Sequence, residues 1–118
     1  MEYMLLIFAD NAEFEKLSPS QMGEALAAYG AYTEALNKAG VMRGSNRLRP
    51  AETATTVRLK SGKTEVLNGP YAETREQLGG YFHIDVPDLD AALSWAARCP
   101  GASHGVVEVR PIWPMGSN

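Results

Sequence analysis

Between residues 68 and 85 the chain gathers most of the side chains that can move a proton or grip a small molecule. The run Asn-Gly-Pro-Tyr-Ala-Glu-Thr-Arg-Glu-Gln-Leu-Gly-Gly at 68–80 sets carboxylates, a guanidinium and amides among Gly69, Pro70, Gly79 and Gly80. That density exceeds what a simple connection needs, and loops on a rigid scaffold are where binding and chemistry concentrate. Arg75 offers a two-pronged clamp for an anionic or carbonyl-bearing molecule, with Glu73, Glu76 and Gln77 as a polar rim. The competing reading is a short solvated turn whose charges pair locally and contribute little. Both stand at this level.

His83 is the sharpest proton-transfer candidate, because an imidazole titrates near neutrality. Asp85 lies two residues on, on the same strand face, and biases its charge. Tyr81 adds a phenol on that face, as hydrogen-bond donor or weak acid. Glu108 and Arg110 share a face of a later strand and either meet a ligand there or form an ion pair. For His83 the plain alternative is a polar residue at a wet interface. His104, in Gly-Ala-Ser-His-Gly, reads as a loop residue. Two histidines with Asp85 or Glu108 match no metal-ligand spacing, so neither a metal nor a cofactor is expected.

These groups need elements to position them. Residues 3–8 are apolar at every position, the pattern of a strand covered on both faces. Ser18-Pro19-Ser20-Gln21 reads as a capping box with proline at the first helical position. Met22, Leu26, Tyr29, Leu36 and Ala39 follow on one helical face, and Gly40 ends the helix. A second strand is predicted over 41–49, and a hairpin over 53–59 and 63–67 around Ser61-Gly62. Residues 81–86 alternate, with Phe82, Ile84 and Val86 opposite Tyr81, His83 and Asp85. Asp88 caps a second helix over 89–98, which ends at Cys99-Pro100. A last strand covers 106–110. Cys99 reads as a buried thiol at a helix end, and Trp95 and Trp113 as packing residues.

The order is strand, helix, strand, hairpin, strand, helix, strand. It predicts an α+β, ferredoxin-like domain, βαβ-βαβ with an inserted hairpin, whose two helices lie on one face of an antiparallel sheet. Two helices cover one face, yet the first strand is apolar on both. A homodimer packed sheet on sheet supplies the missing cover, with a ligand-sized cavity between the copies.

The totals agree with a single domain over residues 1–118. Composition is that of an ordinary globular protein, 45% hydrophobic and 21% charged. A net charge of -3 argues against a nucleic-acid partner. The N-terminal segment has no basic region and its apolar run is too short for a signal peptide or a span, so a cytoplasmic location without membrane association is expected.

The stretch from Asn68 to Tyr81 closely resembles the YCII-related proteins of the DGPF type, named for an Asp-Gly-Pro-Phe signature. So do Tyr3-Met4-Leu5-Leu6-Ile7, Thr53-Ala54-Thr55-Thr56-Val57-Arg58, Asp85-Val86-Pro87-Asp88-Leu89-Asp90-Ala91-Ala92-Leu93 and Val107-Glu108-Val109-Arg110-Pro111. The resemblance implies a dimeric α+β barrel of ferredoxin-like subunits. Some bacterial members are encoded beside sigma factors of the extracytoplasmic-function type, and distant relatives include isomerases, dehalogenases and cofactor-independent monooxygenases. Here Asn68 replaces the signature aspartate and Tyr71 the phenylalanine. An amide takes up no proton at neutral pH, which removes a general base if the aspartate were one. If it builds the turn instead, asparagine serves equally well.

Two functions follow as expectations. One is a cofactor-independent small-molecule enzyme, with His83 or Tyr81 transferring protons and Asn68, Glu73, Arg75, Gln77, Asp85, Glu108 and Arg110 holding the substrate. The other is a non-catalytic metabolite-binding or accessory module linked to a sigma-factor pathway.

Overall fold

A computed structural model describes residues 1–115 of the chain. The central strand β1 (Glu2–Ala9) pairs antiparallel on one side with β5 (Gln77–Asp85) and on the other with β6 (Val106–Pro111). β2 (Met42–Arg47) pairs with the outer edge of β5, giving the order β2-β5-β1-β6. All pairings are antiparallel, the arrangement expected of a ferredoxin-like α+β domain.

Alternation divides β1 cleanly. Tyr3, Leu5 and Ile7 are buried, together with Phe82 and Ile84 of β5 and Val86 just beyond its end. They pack against α2 (Pro19–Lys38) through Tyr32 and Leu36, and against α3 (Leu89–Arg98) through Ala92 and Ala96. The Tyr32 hydroxyl donates to the Trp95 carbonyl at 2.7 Å, tying the two helices together. Cys99 is buried at the end of α3, and burial pushes its thiol pKa up. Met4, Leu6 and Phe8 point to the opposite face, which no helix covers, and remain half-buried.

The helix signals work as predicted. Gln21 N–H donates to Ser18 Oγ at 3.1 Å and Ser18 N–H to Gln21 Oε1 at 2.9 Å, closing the capping box ahead of Pro19. Gly40 follows at φ +72, a left-handed conformation that other residues rarely adopt. Four features differ from the sequence expectations, the first being that β5 begins at Gln77, so that Gly79 and Gly80 belong to the strand and not to the loop. A short helix α1 (Asn11–Glu15), capped by Asp10, brings the α-helices to three among the described residues; five residues are too few to show a helical period. The apolar face of α2 buries Tyr32 and Leu36, but Leu26 is 49% exposed, because the first half of the helix overhangs a cleft. Trp113 is 85% exposed and packs into no core, whereas Trp95 does.

The hairpin of β3 (Thr55–Lys60) and β4 (Lys63–Asn68) forms a separate two-stranded sheet. Val57 and Val66, paired across it, stay 62% and 60% exposed. The Cα radius of gyration is 16.4 Å, against about 13–14 Å for a compact chain of this length. The molecule is a flat slab, 18 Å in its thinnest dimension, with an arm. No helix among the described residues is long and apolar enough to cross a membrane.

Gly105, just before β6, illustrates how tightly the sheet end is packed: a Cβ there would meet the Phe8 carbonyl oxygen at 2.1 Å. Gly105→Ala should destabilise the protein by about 1–3 kcal/mol or more through forced backbone movement. Gly23→Ala, in α2 with nothing within 4 Å, should stabilise by about 0.5–1 kcal/mol. Urea unfolding of the two variants should show opposite signs.

Candidate functional site

The open face of the four-stranded sheet carries most of the predicted groups. β1 and β5 pair so that Leu6 faces Tyr81 and Met4 faces His83, while β6 sets Glu108 beside Leu6 and Arg110 beside Met4. An apolar stripe, Met4, Leu6 and Phe8, therefore runs between two rows of polar side chains. On one side His83 Nε2 lies 2.5 Å from Glu2 Oε1. Asn46 Nδ2 on β2 donates to the Tyr81 hydroxyl at 2.7 Å. On the other, Arg110 Nη2 lies 2.5 Å from Glu108 Oε2. That oxygen is sealed from solvent without a well-directed hydrogen bond, although the Glu108 side chain as a whole is 41% exposed.

Asp85 sits at the end of the His83 row but is engaged elsewhere. The Met1 amino group reaches it at 3.0 Å and Arg43 at 3.4 Å, holding its carboxyl below the usual range. Glu2, not Asp85, is the carboxylate that meets His83. His83 and Glu2 lie diagonally on neighbouring strands, two residues apart in register and so on the same face, and the pair becomes visible once β1 is placed beside β5.

In the signature loop, Gln77 Nε2 donates to the carbonyls of Ala72 at 3.0 Å and Thr74 at 2.7 Å. It staples the loop's own backbone. Arg75 Nε donates to Asp10 Oδ2 at 3.2 Å, while Asp10 Oδ1 accepts from Ala12 N–H at 3.0 Å and caps α1. Arg75, followed by that backbone bond, depresses the Asp10 carboxyl below its ordinary pKa. Glu73 is exposed, as is Asn68 at the end of β4. The turn after Asn68 is held by Gly69 N–H to the Ala54 carbonyl at 2.7 Å and by Thr56 Oγ1 to the Gly69 carbonyl at 2.8 Å. Asn68 and Glu73 thus stand apart from the sheet-face groups, and Arg75 reaches them only through a groove. That open groove, about 800 Å³, is lined by Phe8, Asp10, Arg75, Glu76, Val106 and Glu108 among others. It joins the signature loop to the Phe8 end of the open sheet face. His104 follows a 3₁₀ turn at Pro100–Ser103 and is exposed.

A second cavity, about 330 Å³, lies on the helix side of the sheet. Its walls include Phe14 of α1, Leu26 and Tyr29 of α2, and Phe82 of β5, with Arg47 and Arg49 on the β2 side. Burial pushes the Tyr29 hydroxyl pKa up to about 12, so it stays a neutral donor. Sequence reasoning missed this cavity, along with Glu2, Asn46 and Asp10. Asp10 carries the one local clue, an Asp followed by Glu13 at capping-box spacing.

The sequence profile of the YCII-related domain matches residues 1–116. An uncharacterised protein of Rhizobium meliloti (strain 1021) is 35% identical over 114 residues, which span 95% of this chain and 92% of that protein.

Removing the guanidinium in Arg75→Ala should let the Asp10 carboxyl rise part of the way back toward the ordinary carboxylate range, followed by carbon-detected NMR titration. Because the folded-state pKa is depressed, the stabilisation from this contact is complete above the ordinary value. It fades as pH falls through the folded one, and the variant should lack that acid-side loss.

Proposed function

This chain belongs to the YCII-related family, and on that premise we propose that it is a homodimeric, cofactor-independent enzyme that moves a proton on a small carbonyl- or carboxylate-bearing molecule. One contact carries this reading: the 2.5 Å approach of His83 Nε2 to Glu2 Oε1. An ionised carboxylate can only accept, so Nε2 carries the hydrogen and Nδ1 of the neutral ring keeps its lone pair. The carboxylate behind the ring fixes its orientation and stabilises the imidazolium formed when Nδ1 takes a proton. Tyr81, oriented by Asn46, supplies a hydroxyl donor on the same face for an oxygen that gains negative charge. Arg110 brings a cation from the far side of the apolar stripe.

The stripe itself supports the second copy. Packing a twin sheet about 10 Å away would dry Met4, Leu6 and Phe8. It would also roof the groove beside the signature loop, turning an open face into a chamber. The hairpin arm points the same way, since Val57, Leu59 and Val66 are exposed apolar residues with nothing of their own chain to cover them.

Proton transfer can be read directly as exchange of acidic C–H positions of small 2-oxo acids in deuterated water, followed by NMR. The wild type should accelerate exchange over buffer, and His83→Gln should remove about 10²–10⁴-fold of that acceleration, with Glu2→Gln losing less. Exchange that survives His83→Gln undiminished ends the acid–base assignment. A protein that binds such acids without exchanging them is a metabolite-binding module instead.

A further inference from the structure

We propose that the cleft beneath α1 and the first half of α2 is a binding site for a small monocarboxylate with an aromatic or branched apolar body. Its shape comes from missing side chains. β5 carries a bulge opposite Ile7 and Phe8, so that Ile7 faces Gly80 and Phe8 faces Leu78 with Gly79 as the extra residue. Gly79 and Gly80 floor the cleft with bare backbone. At Gly80 a Cβ would meet the Asn46 carbonyl oxygen at 2.9 Å, so the floor cannot be filled by a larger residue without moving β2. Above it α2 presents Leu26, an apolar residue of its inward face that lines the cleft and stays 49% exposed.

The walls specify the body of the ligand. Phe14, Leu26, Tyr29 and Phe82 suit a flat ring or a branched chain, and about 330 Å³ holds roughly ten to eleven water-sized groups at ~30 Å³ each. The charges specify its head. Arg47 and Arg49 both line the cleft, and among the described residues no carboxylate lies within ion-pair distance of either. No aspartate or glutamate lines it. In a chain of net charge -3, this is a local reversal of sign at the exposed mouth of a largely apolar hollow, placed to make a charge-assisted bond to a carboxylate. The Arg47 guanidinium sits 5.1 Å above the Phe14 ring, which poises it at the α1 side of the cleft.

Every lining residue comes from one chain and His83 is not among them. Tyr81 and Asn46 border it, but the proposal needs neither the His83 imidazole nor a residue from a twin copy. Phenylacetate is the probe, titrated by protein-observed NMR against its neutral isostere phenylacetamide and against inorganic phosphate. Phenylacetate should shift Phe14, Leu26 and Tyr29 resonances saturably, leave Met4 and Leu6 unmoved, and bind well above both comparators. The exposed double variant R47Q/R49Q should weaken it by about tenfold or more, and Ala25→Trp, at a half-buried helix position lining the cleft, should block it. No saturable shift at millimolar probe, equal binding of the amide, displacement by phosphate alone, or undiminished affinity in R47Q/R49Q would each overturn the assignment.

Discussion

A strand with apolar side chains on both faces sits in the middle of a sheet that has helices on only one. Everything else in this molecule follows from that imbalance. Tyr3, Leu5 and Ile7 vanish beneath α2 and α3, and their burial at about 25 cal/mol per Å² is the main source of the fold's stability. Met4, Leu6 and Phe8 have no such cover from their own chain. They can stay in water only at a free-energy cost, and sheet-on-sheet pairing is the geometry that removes it. The residues able to do chemistry lie along the margins of this same stripe, so in the proposed dimer covering the stripe and building a chamber would be one event.

That arrangement gives the two faces of the sheet different characters. The open face holds short, paired polar contacts: His83 with Glu2, Tyr81 with Asn46, Arg110 with Glu108. Its groups are mutually oriented before any ligand arrives, which suits a site where a proton must travel along a defined direction. The helix face holds a packed core at one end and, at the other, a hollow with two arginines that have no carboxylate partner among the described residues. A bulge and two glycines in β5 separate these regimes. One strand thus supplies both the imidazole of the open face and the bare floor of the cleft behind it.

Much of this was legible in the residues themselves. The continuous apolar run at 3–8, the Ser18–Gln21 capping box and the strict alternation of 81–86 each act through neighbours in sequence, and each is realised. The faces assigned to Tyr81, His83 and Asp85 follow from period two alone. Partners across long sequence distances were not legible. Glu2 meets His83 over 81 positions and Asp10 meets Arg75 over 65, and no local pattern marks either. Strand β5 reaches back to Gln77 because ladder bonds to β1 and β2 outweigh the turn preference of Gly79-Gly80. The same glycines concealed the cleft, since a cavity made by absent side chains leaves no apolar or charged pattern to read.

The most direct measurement is the solution mass of the wild-type chain by light scattering at micromolar concentration. Burial of the Met4–Leu6–Phe8 stripe by a twin subunit predicts a single species of twice 12.8 kDa. A monodisperse species of 12.8 kDa that stays single as concentration rises would mean the open face is stable in water, and the shared chamber would not exist.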